Sequence, residues 1–286
     1  MTSPHFDLAA YEAKLQDFIA HIHVNPMYAL SGLVVGLLVG LTGVGGGSLM
    51  TPLLVLLFGI HPATAVGTDL LYASLTKTVG TAIHGGKRTI DWKIVGLLAL
   101  GSIPATALTV WAINHFGKPD EVSKVITTVL GYALFITAAL LLLRGVIRKL
   151  AEKRQAAAVE QDKPLHLGRR ALLTVITGLV LGFLVSLSSV GAGALGVTAL
   201  ILLYPHLPTV KIVGSDIAHA VPLTFIAGMG YVFIGKVDLQ LLISLLCGSI
   251  PGIVIGSFLA PKLPEKVLRV VLAAVLTLVG LKLVTA

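Results

Sequence analysis

Long apolar runs alternate with short polar segments over most of the chain. Eight runs hold few or no charged residues: 27–60, 62–83, 94–116, 125–143, 171–209, 212–235, 239–261 and 270–281. A helix needs about 20 apolar residues to cross the hydrocarbon core of a bilayer, where unpaired backbone groups are not tolerated. The pattern therefore predicts an all-α polytopic membrane protein with about eight transmembrane segments.

Composition supports this class and excludes others. Of the 286 residues, 56% are hydrophobic and 12% are charged, against about 25% charged in soluble domains. The runs lack the ten-residue alternation of a membrane β-barrel. A single cysteine, Cys247, excludes a disulfide framework and a cysteine-based zinc site. No His-x-x-x-His pair with a glutamate and no Gly-x-Ser-x-Gly elbow is present, so we expect no enzyme, no cofactor and no bound metal.

Two segments differ from the apolar runs. In residues 1–26, apolar side chains fall on one helical face, which predicts an amphipathic helix lying in the membrane interface. The stretch 144–170 is basic and accounts for much of the formal net charge of +8. The positive-inside rule makes it a cytoplasmic linker rather than a nucleic-acid contact. It divides the chain into transmembrane repeats at 27–143 and 171–286.

The two halves are homologous. Gly32–Gly36 aligns with Gly178–Gly182 at an offset of 146 residues, and Gly67-Thr68-Asp69 aligns with Gly214-Ser215-Asp216 at an offset of 147. At the second offset, Gly101-Ser102-Ile103-Pro104 matches 248–251. Glycine, aspartate and proline in register indicate an internal duplication, an architecture of transporters that bind substrate between the repeats.

Two topologies fit this duplication, because the first segment of each half is interrupted by glycines. If the segment crosses once as a broken helix, each half has four spans, the repeats are parallel and both termini are inside. If it is a re-entrant hairpin, each half has three spans, the repeats are inverted and both termini are outside. Leaving out Lys77, the inside-to-outside division of Lys and Arg is 14 to 6 in the first topology and 15 to 5 in the second. Charge therefore does not decide between them.

The two interruptions are the candidate substrate site. Each glycine costs about 1 kcal/mol within a helix, and a break exposes backbone N–H groups at the start of the next helix, where anions bind. The alternative role is close helix packing, to which we assign Gly32, Gly36, Gly40, Gly252 and Gly256. The candidate substrate-binding residues in the interruptions are Thr42, Gly45, Gly46, Gly47 and Ser48 in the first half, and Ser188, Ser189, Gly191 and Gly193 in the second.

Charged residues inside the apolar runs complete the candidate site. A carboxylate in mid-membrane costs about 2.5–3.5 kcal/mol on insertion scales and needs a partner or a role. Asp69 and Asp216, with Thr68 and Ser215 beside them, either orient the site and carry protons or cap helices near the surface. Lys77 follows Asp69 by about two turns, where it either binds an anion or pairs with that aspartate. His219, one turn beyond Asp216, is a candidate proton relay.

The glycine-rich 36–52 segment, Gly-Thr-Asp at 67–69, Gly-Ser-Ile-Pro at 101–104 and their second copies resemble the TauE/SafE sulfite exporter family. The resemblance covers residues from about 30 to 284. It implies an inner-membrane permease for small sulfur-containing or organosulfonate anions, often an exporter and proton-coupled. It also implies seven or eight spans from a four-span duplication, which favours the first of the two topologies. The sequence departs from a symmetric pattern at Ala192, Ala194 and Thr224, which implies a smaller contribution of the second half to anion binding.

These observations together predict a secondary active transporter of small anions in the cell inner membrane. Candidate substrates are sulfite, thiosulfate and a sulfonate such as sulfoacetate, with the proton as coupling ion and the bilayer as surroundings. The alternatives are a passive anion channel and a permease for an unrelated small solute. A homo-oligomer is compatible with the sequence, and no nucleic-acid partner is expected.

Overall fold

The computed structural model describes residues 23–42, 47–86, 88–160, 167–259 and 265–285. The described residues form ten α-helices and no strand, in keeping with the predicted all-α class. In chain order the helices are α1 (Pro26–Thr42), α2 (Gly47–Phe58), α3 (Pro62–Gly86), α4 (Trp92–Phe116), α5 (Pro119–Glu160), α6 (Leu167–Ser188), α7 (Ala194–Leu203), α8 (Thr209–Phe233), α9 (Leu239–Leu259) and α10 (Glu265–Thr285). The predicted amphipathic helix at 1–26 lies almost wholly outside the described residues.

Helix boundaries follow local chemistry. The side chain of Asp91 precedes α4 and accepts the backbone N–H of Lys93 at 3.1 Å. Asp238 precedes α9 and accepts the N–H of Leu241 at 2.9 Å. Such caps satisfy N–H groups that have no partner inside the helix. Asp91 and Asp238, which stand 147 residues apart, therefore each cap the start of a long helix.

Five of the described helices are long and apolar enough to cross a membrane. They lie within α4, α5, α6, α8 and α9. By contrast, α2 has 12 residues and α7 has 10, which at 1.5 Å per residue gives about 18 and 15 Å against a hydrocarbon core of about 30 Å. Neither short helix spans a bilayer by itself.

Each glycine-interrupted segment folds back on itself as a helical hairpin. The ring of Tyr28 at the start of α1 lies 4.9 Å from that of Phe58 at the end of α2. In the second half, the Thr174 hydroxyl near the start of α6 lies 2.8 Å from the Tyr204 hydroxyl after α7. We call α1–α2 the first hairpin and α6–α7 the second hairpin. The re-entrant alternative, rather than a single broken crossing, matches this geometry.

The hairpins pack through glycines against helices of the opposite half. A Cβ atom on Gly32 or Gly36 of α1 would lie 2.2 or 2.5 Å from the carbonyl oxygen of Leu245 or Ser249 in α9. Both positions advance together along the chain, so α1 and α9 are parallel. Equivalent contacts join Gly178 and Gly182 of α6 to Leu98 and Ser102 of α4. Gly252 and Gly256 of α9 are equally close to α1, and the predicted packing role of these glycines is confirmed.

The remaining long helices pair in antiparallel fashion. Gly228 of α8 lies against Leu71 of α3, whereas Gly80, further along α3, faces the earlier Ile217 of α8. In α5 and α10, Gly131 faces Val284 and Gly280 faces Phe135. The Gly-Thr-Asp motif of α3 and the Gly-Ser-Asp motif of α8 therefore lie on helices that run in opposite directions.

The basic linker is helical over most of its length. Helix α5 continues without interruption from Pro119 to Glu160, a length of 42 residues. At 1.5 Å per residue this is about 63 Å, roughly twice the hydrocarbon thickness. The last turns of α5 therefore extend beyond any bilayer that its apolar part crosses.

Candidate functional site

The tip of the second hairpin has two glycines with positive φ angles. Helix α6 ends at Ser188 and α7 begins at Ala194. Between them Gly191 and Gly193 have φ of 126° and 123°, a region that side chains disfavour, and Ser189 has φ of 56°. The predicted interruption in the second half is therefore present at 189–193.

In the first hairpin the structure describes the two helices on either side of the tip but not the tip itself. Helix α1 ends at Thr42 and α2 begins at Gly47. Residues 43–46, which include the predicted site residues Gly45 and Gly46, lie outside the described residues. Ser48 is buried in the first turn of α2.

Ser188 shapes the second tip through its hydroxyl group. This hydroxyl donates to the carbonyl oxygen of Leu184 at 2.7 Å and accepts the backbone N–H of Val190 at 3.2 Å. The chain leaving α6 is thereby fixed at its turn. The adjacent Ser189 is also buried, and its side chain lies beside the carboxylate of Asp69 in α3.

Asp69 is fully buried where α2, α3 and the second hairpin meet. Its Oδ2 accepts a hydrogen bond from the Thr51 hydroxyl at 2.5 Å. Thr51 lies in the second turn of α2, so the hydrogen bond joins the first hairpin to α3. A hydroxyl donor of this kind stabilises the ionised carboxylate.

Asp216 is the fully buried counterpart of Asp69 on α8. A Cβ atom on Gly196 of α7 would lie 1.9 Å from its Oδ1, so the first turn of α7 packs directly against the carboxylate. The backbone N–H of Gly193 also acts on this carboxylate. Among the described side chains, none donates a hydrogen bond to either oxygen of Asp216.

Lys77 joins these groups. It lies on α3, is half-buried, and its Nζ donates to the carbonyl oxygen of Ala192 at the second tip at 3.2 Å. Both Asp69 and Asp216 interact electrostatically with the ammonium group. The structure thus brings together one cation, two anions and the second hairpin tip, all of which the sequence singled out.

Thr68 and Ser215 face away from this cluster towards the opposite half. The backbone N–H of Asp238 donates to the Thr68 hydroxyl at 3.1 Å. The N–H of Asp91 donates in the same way to Ser215 at 2.8 Å. These hydroxyls hold the starts of α9 and α4 against α3 and α8, and their proposed part in orienting substrate stays a prediction.

His219 forms one of a pair of contacts between opposite halves. Its Nε2 lies 2.8 Å from the Ser102 hydroxyl of α4. The Tyr72 hydroxyl hydrogen-bonds Ser249 of α9. All four side chains are buried. Each pair joins a helix bearing one of the two aspartates to the glycine-packed helix of the other half.

Comparison with known proteins identifies the chain. The family model described as "Sulfite exporter TauE/SafE" matches residues 28–283. The chain belongs to the TauE/SafE family. This TauE/SafE protein is 44% identical over 257 residues to "Probable membrane transporter protein YjnA" of Bacillus subtilis, covering 89% of the chain and 98% of the relative.

More distant relatives have the same description. "Probable membrane transporter protein YdhB" of Bacillus subtilis is 30% identical, with 82% of this chain and 90% of the relative covered. "Probable membrane transporter protein MJ0441" of Methanocaldococcus jannaschii is 24% identical, with 90% and 94% covered. No solved structure matches the chain. The TauE/SafE chain is thus a probable membrane transporter with several apolar helices.

The sequence analysis did not identify Thr51, Tyr72, Ser102 or Ser249 as residues of this TauE/SafE site. A signal existed for three of them, since Tyr72 stands 147 residues before His219 and both serines lie in the repeated Gly-Ser-Ile-Pro motif. Thr51 has no such signal, because an apolar run does not show which hydroxyl faces Asp69. Within the described ranges, no cluster of three His, Cys, Asp or Glu side chains suits a metal ion.

Proposed function

We propose that this protein is a secondary active transporter of small anions in the cell inner membrane. The substrate class is sulfur oxyanions or organosulfonates, of the sulfite, thiosulfate or sulfoacetate type, with export as the direction and the proton as coupling ion. The observation that supports this most is the half-buried ammonium of Lys77 at a hairpin tip, beside the start of a short helix.

The donors around Lys77 suit an oxyanion. Three or four oxygens need several converging N–H and O–H groups, and charge-assisted hydrogen bonds are the strongest of these. The starts of α2 and α7 present backbone N–H groups with partial positive charge. Ser48 lies in one of these first turns and Ser189 precedes the other. The anion would bind beside the second hairpin tip, where Lys77 supplies its full positive charge.

The proposed architecture is a pair of inverted repeats. Each half would contribute three crossing helices and one re-entrant hairpin, with the hairpins entering from opposite sides of the membrane. Support comes from the antiparallel pairing of α3 with α8 and of α5 with α10. The arrangement also places 15 of 20 Lys and Arg residues on the side of the basic linker. Inverted repeats that meet at a midplane site are one basis of alternating access.

Lys77→Ala tests the proposed site. In proteoliposomes, purified wild-type protein should accumulate labelled thiosulfate, and unlabelled thiosulfate inside the vesicles should accelerate this uptake, as exchange through a carrier requires. We expect at least a tenfold loss of uptake in Lys77→Ala, because a charge-assisted contact contributes about 1.5–3 kcal/mol. Lys118→Ala is the matched control, since Lys118 is exposed and pairs with Glu121 at 3.4 Å.

Three results would contradict the proposal. Absence of thiosulfate, sulfite and sulfoacetate flux in wild-type vesicles would exclude the substrate class. Uptake that internal anion does not accelerate would indicate a channel. Unchanged uptake in Lys77→Ala would exclude the proposed role of this lysine.

A further inference from the structure

We infer that Asp216 takes up a proton when the anion binds, so that proton and anion cross the membrane in the same direction. This inference rests on the proposed function and adds the residue and the sign of the coupling. Its basis is the charge inventory of the site and a difference between the two buried carboxylates.

The buried charges do not favour an anion as long as both aspartates are ionised. Asp69 and Asp216 are fully buried, and Lys77 is the cation that interacts with both. These three groups sum to one negative charge, Arg144 being a further cation that acts on Asp216 alone. A bound anion that pairs with Lys77 would add negative charge beside both carboxylates, in surroundings of low dielectric. A proton on one carboxylate removes this repulsion.

The two carboxylates are not equivalent. Asp69 accepts a hydrogen bond from Thr51, which stabilises its ionised form. The position in α7 that corresponds to Thr51 is Val197, at the offset of 146 residues, and it offers no hydroxyl. Neither oxygen of Asp216 accepts a hydrogen bond from a described side chain, and beside it lies a backbone N–H, that of Gly193, in place of a hydroxyl. Asp216 is therefore the carboxylate with more to gain from a proton.

The charged groups near Asp216 couple the binding of the anion to the binding of the proton. Lys77 of α3 and Arg144 of α5 are the cations that interact electrostatically with Asp216. His219 lies one turn along α8 and is held by Ser102. The sequence of α7 holds no titratable side chain. At the ends of the other helices packed on α8 lie Asp91, Lys93, Arg169 and Arg170.

An anion that pairs with Lys77 neutralises a positive charge that interacts with Asp216. The proton affinity of Asp216 rises as a result. Linkage is reciprocal, so a proton on Asp216 raises the affinity for the anion by the same factor. The carboxylate gains the proton on the side from which the anion enters and releases it on the side where the anion leaves. Net export then requires an outward anion gradient that exceeds the inward pull of the proton gradient.

The test measures proton and anion movement together. Proteoliposomes contain an impermeant fluorescent pH indicator, and valinomycin with equal potassium clamps the potential. Thiosulfate is added outside. For the wild type we expect acidification of the lumen with the same time course as labelled thiosulfate uptake, and an anion affinity that rises up to tenfold per unit decrease in pH.

In Asp216→Asn, anion uptake should continue without lumen acidification, and its affinity should not change with pH. Asp216→Glu keeps the acid and should keep the acidification, which protects the test against misfolding of the amide variant. Glu121→Gln is the control, because Glu121 is an exposed carboxylate that pairs with Lys118 at the protein surface. Its coupling should equal that of the wild type.

Each other outcome overturns a different statement. Thiosulfate uptake with lumen alkalinisation would overturn the inference and leave the proposed proton-coupled transporter intact. Uptake with no pH change, or with a strict sodium requirement, would overturn both the inference and the proton as coupling ion, and would leave only the proposed anion substrate. Acidification that persists in Asp216→Asn would exclude this residue as the proton carrier. Absence of any anion flux in the wild type would instead overturn the proposed function.

Discussion

The ammonium group of Lys77, in the middle of α3, is stabilised by one backbone carbonyl oxygen and two carboxylates. A lysine within an apolar segment needs partners, and here it has a carbonyl oxygen at the second hairpin tip and two buried carboxylates. The sequence made these three charged residues predictable, because charge is rare in the apolar runs. It did not show that Lys77 is shared by both aspartates, since that depends on how α3 and α8 cross.

Gly196 is the residue that allows Asp216 to sit against α7. In Gly196→Ala the new methyl group would meet the carboxylate at 1.9 Å, so either Asp216 or the whole of α7 must shift. We expect anion uptake to fall at least tenfold in proteoliposomes, with the protein still eluting as a single species in detergent.

Gly96→Ala in α4 provides the matched control, because a Cβ at this exposed helical position has no neighbour within 4 Å. Its transport should remain within twofold of the wild type. Equal transport by the Gly196 variant and this control would refute the described contact between α7 and Asp216.

At the scale of the helices, the structure depends on two glycine-packed pairs, α1 with α9 and α6 with α4. The spacing of the glycines predicted close packing, and the Gly-rich interruptions predicted breaks. The sequence does not decide whether each interrupted segment turns back, because a broken crossing and a re-entrant hairpin contain the same apolar residues. The decision comes from long-range contacts such as Tyr28 with Phe58, which no local pattern encodes.

Alanine at Gly101 or Gly248 should destabilise the two equivalent pairs to a similar extent. The added Cβ would lie 2.0 Å from the Val175 carbonyl oxygen in the first case and 1.7 Å from that of Ala29 in the second. Overpacking costs about 1–3 kcal/mol, and each kcal/mol lowers the melting temperature by about 2–4 °C in domains of 150–250 residues.

Thermal unfolding followed by intrinsic fluorescence in detergent measures this effect. Gly145→Ala in α5 is the control, since its Cβ would have no neighbour within 4 Å. If only one of the two glycine variants is destabilised, the two helix pairs are not equivalent, and the inverted-repeat interpretation loses this support.

For the whole molecule, the central claim is that two hairpins enter from opposite sides of the membrane and meet at Lys77, Asp69 and Asp216. Sequence predicted the membrane class, the family and the matched motifs. It could not predict the orientation of the halves, because the division of Lys and Arg satisfies the positive-inside rule in both topologies. The evidence for the relative orientation of the two halves is that α3 and α8 run in opposite directions.

Cysteine accessibility in intact cells tests this claim most directly. After Cys247 is replaced by alanine, single cysteines at Lys118, Lys153 and Lys236 are reacted with a membrane-impermeant maleimide. Lys118 and Lys153 lie on opposite sides in either topology, so they calibrate the outside and the inside. We predict labelling at 118 and 236 but not at 153. Labelling at 118 alone, with 236 protected like 153, would mean parallel repeats and would contradict the account.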